Sequence, residues 1–200
     1  MNNYSSIVLE GEIITDARYS HQYDGVNYYS VLVASKRSQY KKDTVNVFFS
    51  EDLIDMYGRI CKGEGIVVKG VLVQSFVKGF KNVSILAKNY ELDSEVLNKY
   101  CNQNGGRIRG TVLKSYEIFS LSDTERKVKP LLIQCKSDSL DRPFTIKCSA
   151  WDSLGDFVDT HYKEGDEIEV EYKLHSKSRV SSSGLSVDCV EGIVTASYRI

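Results

Sequence analysis

The 200-residue chain lacks most of the features that announce a catalyst or a membrane protein. No apolar run reaches the roughly 18 residues of a membrane-spanning helix. The start, Met1-Asn2-Asn3-Tyr4-Ser5-Ser6, has neither the basic residues nor the apolar stretch of a secretory leader. A cytoplasmic location and no membrane partner are expected. The five cysteines, Cys61, Cys101, Cys135, Cys148 and Cys189, are odd in number and include no Cys-x-x-Cys pair, which points away from a disulfide framework or a zinc knuckle. Cys135, Cys148 and Cys189 sit inside apolar strand patterns, where a free thiol behaves as a small hydrophobe. The three histidines stand apart, with no His-x-Glu or paired spacing, and no Gly-x-x-x-x-Gly-Lys phosphate loop occurs. Asp16, His21 and Asp24 lie in a Tyr-rich stretch that reads as a solvated turn rather than a metal cluster. No catalytic residue, metal or cofactor is expected.

A strong basic excess is also missing. The net charge is −1, which alone argues against an obligatory polyanion partner. The distribution says more than the sum. Lys36, Arg37, Lys41 and Lys42 fall within seven residues free of acids, and Lys78, Lys81 and Lys88 share a second acid-free stretch. Each patch taken alone could be a solvated loop.

What the chain does have is a message written twice. Ile7-Val8-Leu9-Glu10-Gly11-Glu12-Ile13 and Gly106-Arg107-Ile108-Arg109-Gly110-Thr111-Val112-Leu113 are both apolar alternations broken by glycine. Phe49 precedes Gly63 by 14 positions, and Trp151 precedes Gly165 by the same 14. A strand follows each of those glycines. A period near 100 residues exceeds the roughly 20–50 of stacked solenoid repeats and implies two successive domains, each large enough for its own core.

Period-2 alternation and turn residues place strands of the first half near 7–14, 28–36, 44–49, 66–73 and 83–87. Between the third and fourth, Leu53, Ile54, Tyr57 and Ile60 recur at helical spacing behind Glu51 and Asp52, giving a short helix over 51–60. The second half repeats the order with strands near 107–113, 130–136, 144–151, 166–174 and 185–190. Its helix is marked by Leu154, Phe157, Val158 and His161. Domain 1 is set at 1–92, a linker with a helical turn at 93–105, and domain 2 at 106–200. The expected fold is all-β: two tandem five-stranded OB-fold barrels, each with a short helix between its third and fourth strands.

The first half resembles the bacterial and phage single-stranded DNA-binding proteins. The resemblance rests on Val8-Leu9-x-Gly11, Tyr29-Ser30-Val31-Leu32-Val33-Ala34-Ser35, Asp43-Thr44-Val45-Asn46-Val47-Phe48-Phe49 and Lys62-Gly63-x-x-Ile66-Val67-Val68-x-Gly70, and covers roughly residues 6–92. The second half is similar more faintly, through Arg107-x-x-Gly110, Ile146-Lys147-Cys148-Ser149-Ala150-Trp151 and Glu164-Gly165-Asp166-x-Ile168. It departs from the pattern by placing Tyr172 where the first half has Gly70.

The resemblance implies sequence-tolerant binding of single strands in replication, recombination or repair. Bases stack on aromatic rings, and lysines and arginines track phosphates. Alternation puts Trp151 with Thr145, Lys147 and Ser149 on a polar strand face, and the family's spacing makes it a stacking platform. In the first half, spacing selects Phe49 whereas alternation selects Phe48, so both are carried. The loop between the second and third strands offers Lys36, Arg37, Tyr40, Lys41 and Lys42, where the family wraps DNA. The loop between the fourth and fifth offers Phe76, Lys78, Phe80 and Lys81, and its second copy Lys177 and Arg179. Arg107, Arg109 and Lys147 complete the candidate set.

The family's housekeeping members end in a glycine-rich linker and an acidic tip, and this chain closes on Val194-Thr195-Ala196-Ser197-Tyr198-Arg199-Ile200. A specialised member is expected, from a phage or mobile element or resembling the primosomal replication proteins. The partner is single-stranded DNA, with RNA as an alternative, and tandem domains imply a monomer or homodimer. The rival reading is a double OB scaffold that binds protein, which the near-neutral charge would suit.

Overall fold

The computed structural model describes residues 4–122, 124–136, 143–180 and 186–198. Among them are twelve strands: β1 (Tyr4–Ile13), β2 (Arg18–Tyr23), β3 (Val26–Ser38), β4 (Lys41–Ser50), β5 (Gly65–Val77), β6 (Phe80–Leu92), β7 (Asn104–Ser115), β8 (Phe119–Ser120), β9 (Lys127–Lys136), β10 (Pro143–Trp151), β11 (Glu167–Val180) and β12 (Ser186–Tyr198). Helix α1 (Glu51–Tyr57) follows β4 and helix α2 (Asp152–His161) follows β10. The chain is all-β, as its alternating pattern predicts.

The strands form one continuous sheet, in the order β2-β3-β4-β6-β5-β1-β7-β11-β12-β10-β9-β8, that returns on itself twice. Ile13 pairs with Val33, closing a circuit through β1, β3, β4, β6 and β5. Val112 pairs with Ile133, closing another through β7, β9, β10, β12 and β11. In both circuits the third and last strands run parallel, at Val47–Ile85 and at Cys148–Gly192. The helix sits between the third and fourth circuit strands in each half, the order expected of an OB-fold.

Alternation builds the cores. In β4, Val45, Val47 and Phe49 point inward, and Asn46, Phe48 and Ser50 point outward. The second core takes Ile133, Phe144, Ile146 and Leu174, with Cys135 and Cys148 as fully buried fillers. Burial pushes the Cys148 thiol up to about 12, so it stays a neutral packing group. Helix α1 starts where the Ser50 hydroxyl accepts from the Leu53 N–H at 3.3 Å, behind the acidic first turn of Glu51 and Asp52. It ends at Tyr57, three residues short of the expected limit, where the following Gly58 takes a left-handed φ of 103°.

Short strand β8, which pairs Phe119 with Val128, falls outside every expected strand, and two further features depart from the sequence reading. Arg18–Tyr23, expected to be a turn, forms the hairpin strand β2, reversed at Asp24-Gly25 with φ of 49° and 77°. The second departure is the end of the expected linker. Asp93 caps a 3-10 turn over Ser94–Asn98, but Asn104 and Gly105 already belong to β7 and pair with Leu9 and Val8. The Gly105-Gly106 pair serves close strand approach rather than a turn. A Cβ at Gly106 would lie 1.8 Å from the Ser6 carbonyl oxygen.

The β1–β7 ladder runs from Tyr4–Arg109 to Leu9–Asn104 and welds the two halves. Further bonds cross between them. The Asn82 amide donates to the Asp188 carbonyl at 3.1 Å and its Oδ1 accepts from the Val190 N–H at 2.8 Å. Gln74 Oε1 accepts from the Thr145 N–H at 3.3 Å.

Candidate nucleic-acid interface

The outward side chains of β2, β3, β4 and β5 enclose an open groove of about 640 Å³ on the first half. The β2–β3 hairpin sets His21 opposite Tyr28, and their rings stack at 5.1 Å with 9° between planes. Phe48 stands edge-on to His21 at 5.3 Å. On the far wall, the β5–β6 hairpin turns at Lys78-Gly79 (φ 49° and 83°) and presents Phe76, 65% exposed, with Lys78 beside it. Asn46 and Ser75 supply neutral polar groups between the rings. Exposed aromatic faces with adjacent lysine are what sequence-tolerant base stacking requires.

Phe48 belongs to this groove and Phe49 does not. The Phe49 ring is 0% exposed and packs edge-on against Tyr90 in the core, where no base can reach it. Alternation along β4 therefore decides the position that spacing left ambiguous. Phe80 and Lys81 are exposed at the same hairpin as Phe76.

The Lys36–Lys42 patch divides. Lys36 Nζ donates to the carbonyls of Leu97 and Lys99 at 2.5 and 3.3 Å and so anchors the 3-10 turn. Arg37 is held by buried Asp43 at 3.3 Å and by His175 at 3.0 Å, and Lys42 pairs with Glu12 at 3.1 Å. Tyr40, 88% exposed, and Lys41 project into solvent.

In the second half most predicted cations already have carboxylate partners. Arg107 bridges Glu169 and Glu171 at 3.4 and 2.7 Å, with its guanidinium over the Tyr198 ring at 4.9 Å. Arg109 meets Glu167 at 3.2 Å, and Lys177 forms an ion pair with buried Glu191. Lys147 is exposed on β10. Arg179 lies in β11, and its side chain falls outside the described residues. The Trp151 ring is partly buried, with the Arg126 guanidinium 4.7 Å above its centre.

The sequence matches no family model and no curated protein. Solved structures give a full-length likeness. The single-stranded DNA binding protein from Thermus aquaticus superposes with a TM-score of 0.78 at 13% identity, over 100% of this chain and 94% of that one. This chain has the fold of the Thermus protein. A deletion mutant of the Thermus protein gives 0.76 at 14% identity, over 100% and 95% of the two chains. The N-terminal domain of PriB from Thermoanaerobacter tencongensis covers 44% of this chain at 17% identity, with a TM-score of 0.39.

Register places the two halves in correspondence and exposes their inequality. Val33 faces Val45 as Ile133 faces Ile146, so Ser50, not Phe49, is the counterpart of Trp151. The same counting sets Tyr28 against Val128, Phe48 against Ser149 and Phe76 against Ser178. Among the described residues Tyr28, Phe48 and Phe76 thus have no aromatic counterpart, whereas Phe119, 48% exposed and across from Val128, stands at the position of His21. His21 and Tyr28 lie outside the sequence-derived candidate set: β2, which sets His21 across from Tyr28, has no buried face and so no apolar pattern. The Asp-Gly turn is the one signal that would have set His21 across from Tyr28.

Proposed function

We propose that the protein binds single-stranded DNA with little sequence preference, through the groove between the β2–β3 and β5–β6 hairpins. The observation that carries this reading is the convergence of His21, Tyr28, Phe48 and Phe76 on one open groove beside Lys78. Bases stack on those rings, and Lys78, Lys81, Lys41 and Tyr40 contact the strand from the exposed hairpins. The whole-length likeness to a protein that binds single-stranded DNA supports the same polymer. We take residues 1–92 as the stacking domain, 93–103 as the connection and 104–200 as a supporting OB-fold domain that adds contacts from Lys147. The chain acts in the cytoplasm as a monomer or homodimer, in replication, recombination or repair, with no catalytic step.

The test is equilibrium binding of fluorescent oligo-dT, oligo-U and duplex across a salt series. Single strands should bind well above duplex, because stacking needs unpaired bases. Phe48→Ala and Tyr28→Ala should each cost about 1–3 kcal/mol of binding. Phe49→Ala should instead cost about 3–5 kcal/mol of folding stability. No single-strand binding at low salt would abandon this reading for the protein-binding scaffold.

A further inference from the structure

A second open groove, of about 710 Å³, lies along the seam where β1 and β7 pair. Its walls come from register. On the outer face Lys69 sits across from Val8, Val8 across from Gly105, and Gly105 across from Lys173. Two lysines thus flank a floor with little side chain, three strand spacings or about 14 Å apart. Lys88, beside the β5–β6 bulge, adds a third ammonium to the Lys69 side.

The floor stays hollow because the strands cross closely. Glycine is required at 105 and 106, since a Cβ there would fall 2.5 Å from the Tyr172 carbonyl oxygen and 1.8 Å from that of Ser6. The acid on the wall is already engaged, because Glu171 accepts from Arg107 and from the Tyr198 hydroxyl, both at 2.7 Å. Lys69, Lys88 and Lys173 are exposed and have no carboxylate partner among the described residues. Along β11 the outward series Glu167, Glu169, Glu171 changes sign at Lys173, which places the positive charge at the groove end of the series.

We propose that this seam is a second docking track, which takes the phosphodiester backbone of a single strand by charge alone and reads no base. It contains no exposed aromatic ring, so it offers phosphate contacts without stacking. Strand β5 connects it to the aromatic groove along one face, with Lys69 about 20 Å along the strand from Ser75. A long strand held by the rings therefore gains further contacts at the seam, and a short one does not. The identity of the polymer rests on the function proposed above, whereas the anion site rests on the lysines alone.

The experiment uses the full chain, isotope-labelled for amide spectra, with two probes. Inorganic polyphosphate carries charge without bases, and oligo-dT is used at about 30 and about 6 nucleotides, beyond and within a single OB-fold site. Amides of Lys69, Gly70, Lys88, Gly105 and Lys173 should shift with polyphosphate and with the long oligonucleotide, and those of Tyr28, Phe48 and Phe76 with either oligonucleotide. Lys69→Gln, Lys88→Gln and Lys173→Gln together should flatten the log–log salt slope for the long strand by about 2, at about 0.7 per phosphate contact. Short-strand affinity should be unchanged. Seam amides that ignore both polyanions, or an unaltered slope in the folded triple variant, overturn the proposal. A wild-type homodimer dissolved by the triple substitution also overturns it, since a second copy would then cover the face. Seam shifts with polyphosphate but no groove shifts with oligo-dT would reject the proposed function and leave the anion track standing.

Discussion

The hydroxyl of Tyr172 donates a 3.0 Å hydrogen bond to the carbonyl oxygen of Ser6, reaching from the core of one half to the first strand of the other. In the first half the same position is Gly70, where a Cβ would lie 2.3 Å from the Leu86 carbonyl oxygen. The two halves therefore cannot exchange these residues. Gly70 lets β5 and β6 close, whereas Tyr172 fills the second core and ties it to β1. Burial pushes the Tyr172 phenol well above its ordinary range, so it is a donor at neutral pH.

Tyr172→Phe keeps the ring and removes the bond, so it should lower unfolding free energy by about 0.5–1.5 kcal/mol in urea. Tyr172→Ala also empties the core and should cost about 3–5 kcal/mol. Equal losses for the two variants would mean the inter-half bond, not the packing, dominates.

Ten of the twelve described strands and both helices were legible because their apolar alternation is strong. Phe48 and Phe49 show where two sequence rules part. Spacing to a following glycine failed because α2 has ten residues and α1 seven while the stretch from helix to glycine is two residues shorter after α2, a net shift of one that makes Ser50 the counterpart of Trp151. Alternation succeeded because one-residue slips put a side chain on the wrong face. One ring of the aromatic groove, His21, was hidden in β2, whose six residues are all exposed and carry no hydrophobic pattern. The seam was hidden because its pairing joins residues about 100 apart, and Gly105-Gly106 resembles a turn until Ser6 is placed against it. Charge patches were visible, but their partners were not. Nothing local announces that Lys36 caps a turn 61 residues away or that Arg107 meets glutamates of β11.

The Lys36–Lys42 segment should separate by mutation. Lys36→Ala removes the donor to Leu97 and Lys99 and should lower thermal stability while leaving the salt dependence of DNA binding unchanged. Lys41→Ala, at an exposed position, should do the reverse and flatten the log–log slope by about 0.7. A stable Lys36→Ala protein with a flatter slope would make Lys36 a phosphate contact after all.

Trp151 reports on whether the second half stacks bases. The Arg126 guanidinium lies over its ring and is itself fixed to Asp152 Oδ2 at 3.0 and 2.8 Å. A base would have to displace that pair, which as an exposed cation–π contact is worth about 0.5–1 kcal/mol. Oligo-dT should therefore quench the single tryptophan little, and Trp151→Ala should leave affinity within about 0.5 kcal/mol of the parent, below a stacking contribution of about 1–3 kcal/mol. Saturable quenching in the parent would bring the second half into the stacking site.

His175 sets a pH dependence at the junction of the halves. Its Nδ1 accepts from the Arg37 guanidinium at 3.0 Å, which requires the unprotonated nitrogen. Arg37 also meets Asp43 at 3.3 Å, and Asp43 Oδ1 accepts from the Ser176 N–H at 2.9 Å, so β3, β4 and β11 share one network. Burial lowers the His175 pKa below its ordinary 6.5, and Arg37 and Lys177 lower it further against the opposing pull of Asp43 and Glu191. With the folded value depressed, the unfolded chain takes the proton first. Stability is then complete above about pH 6.5 and declines as pH falls below it, until the folded imidazole is itself protonated. Urea midpoints should drop between about pH 7.5 and 5.5, and His175→Gln should remove most of that drop. The carboxylates held low by their partners, such as Glu171 with Tyr198 and Arg107, act only at lower pH, below their ordinary 4.5. An unchanged pH profile in His175→Gln would assign the decline to other groups and reduce the Arg37–His175 bond to a passive contact.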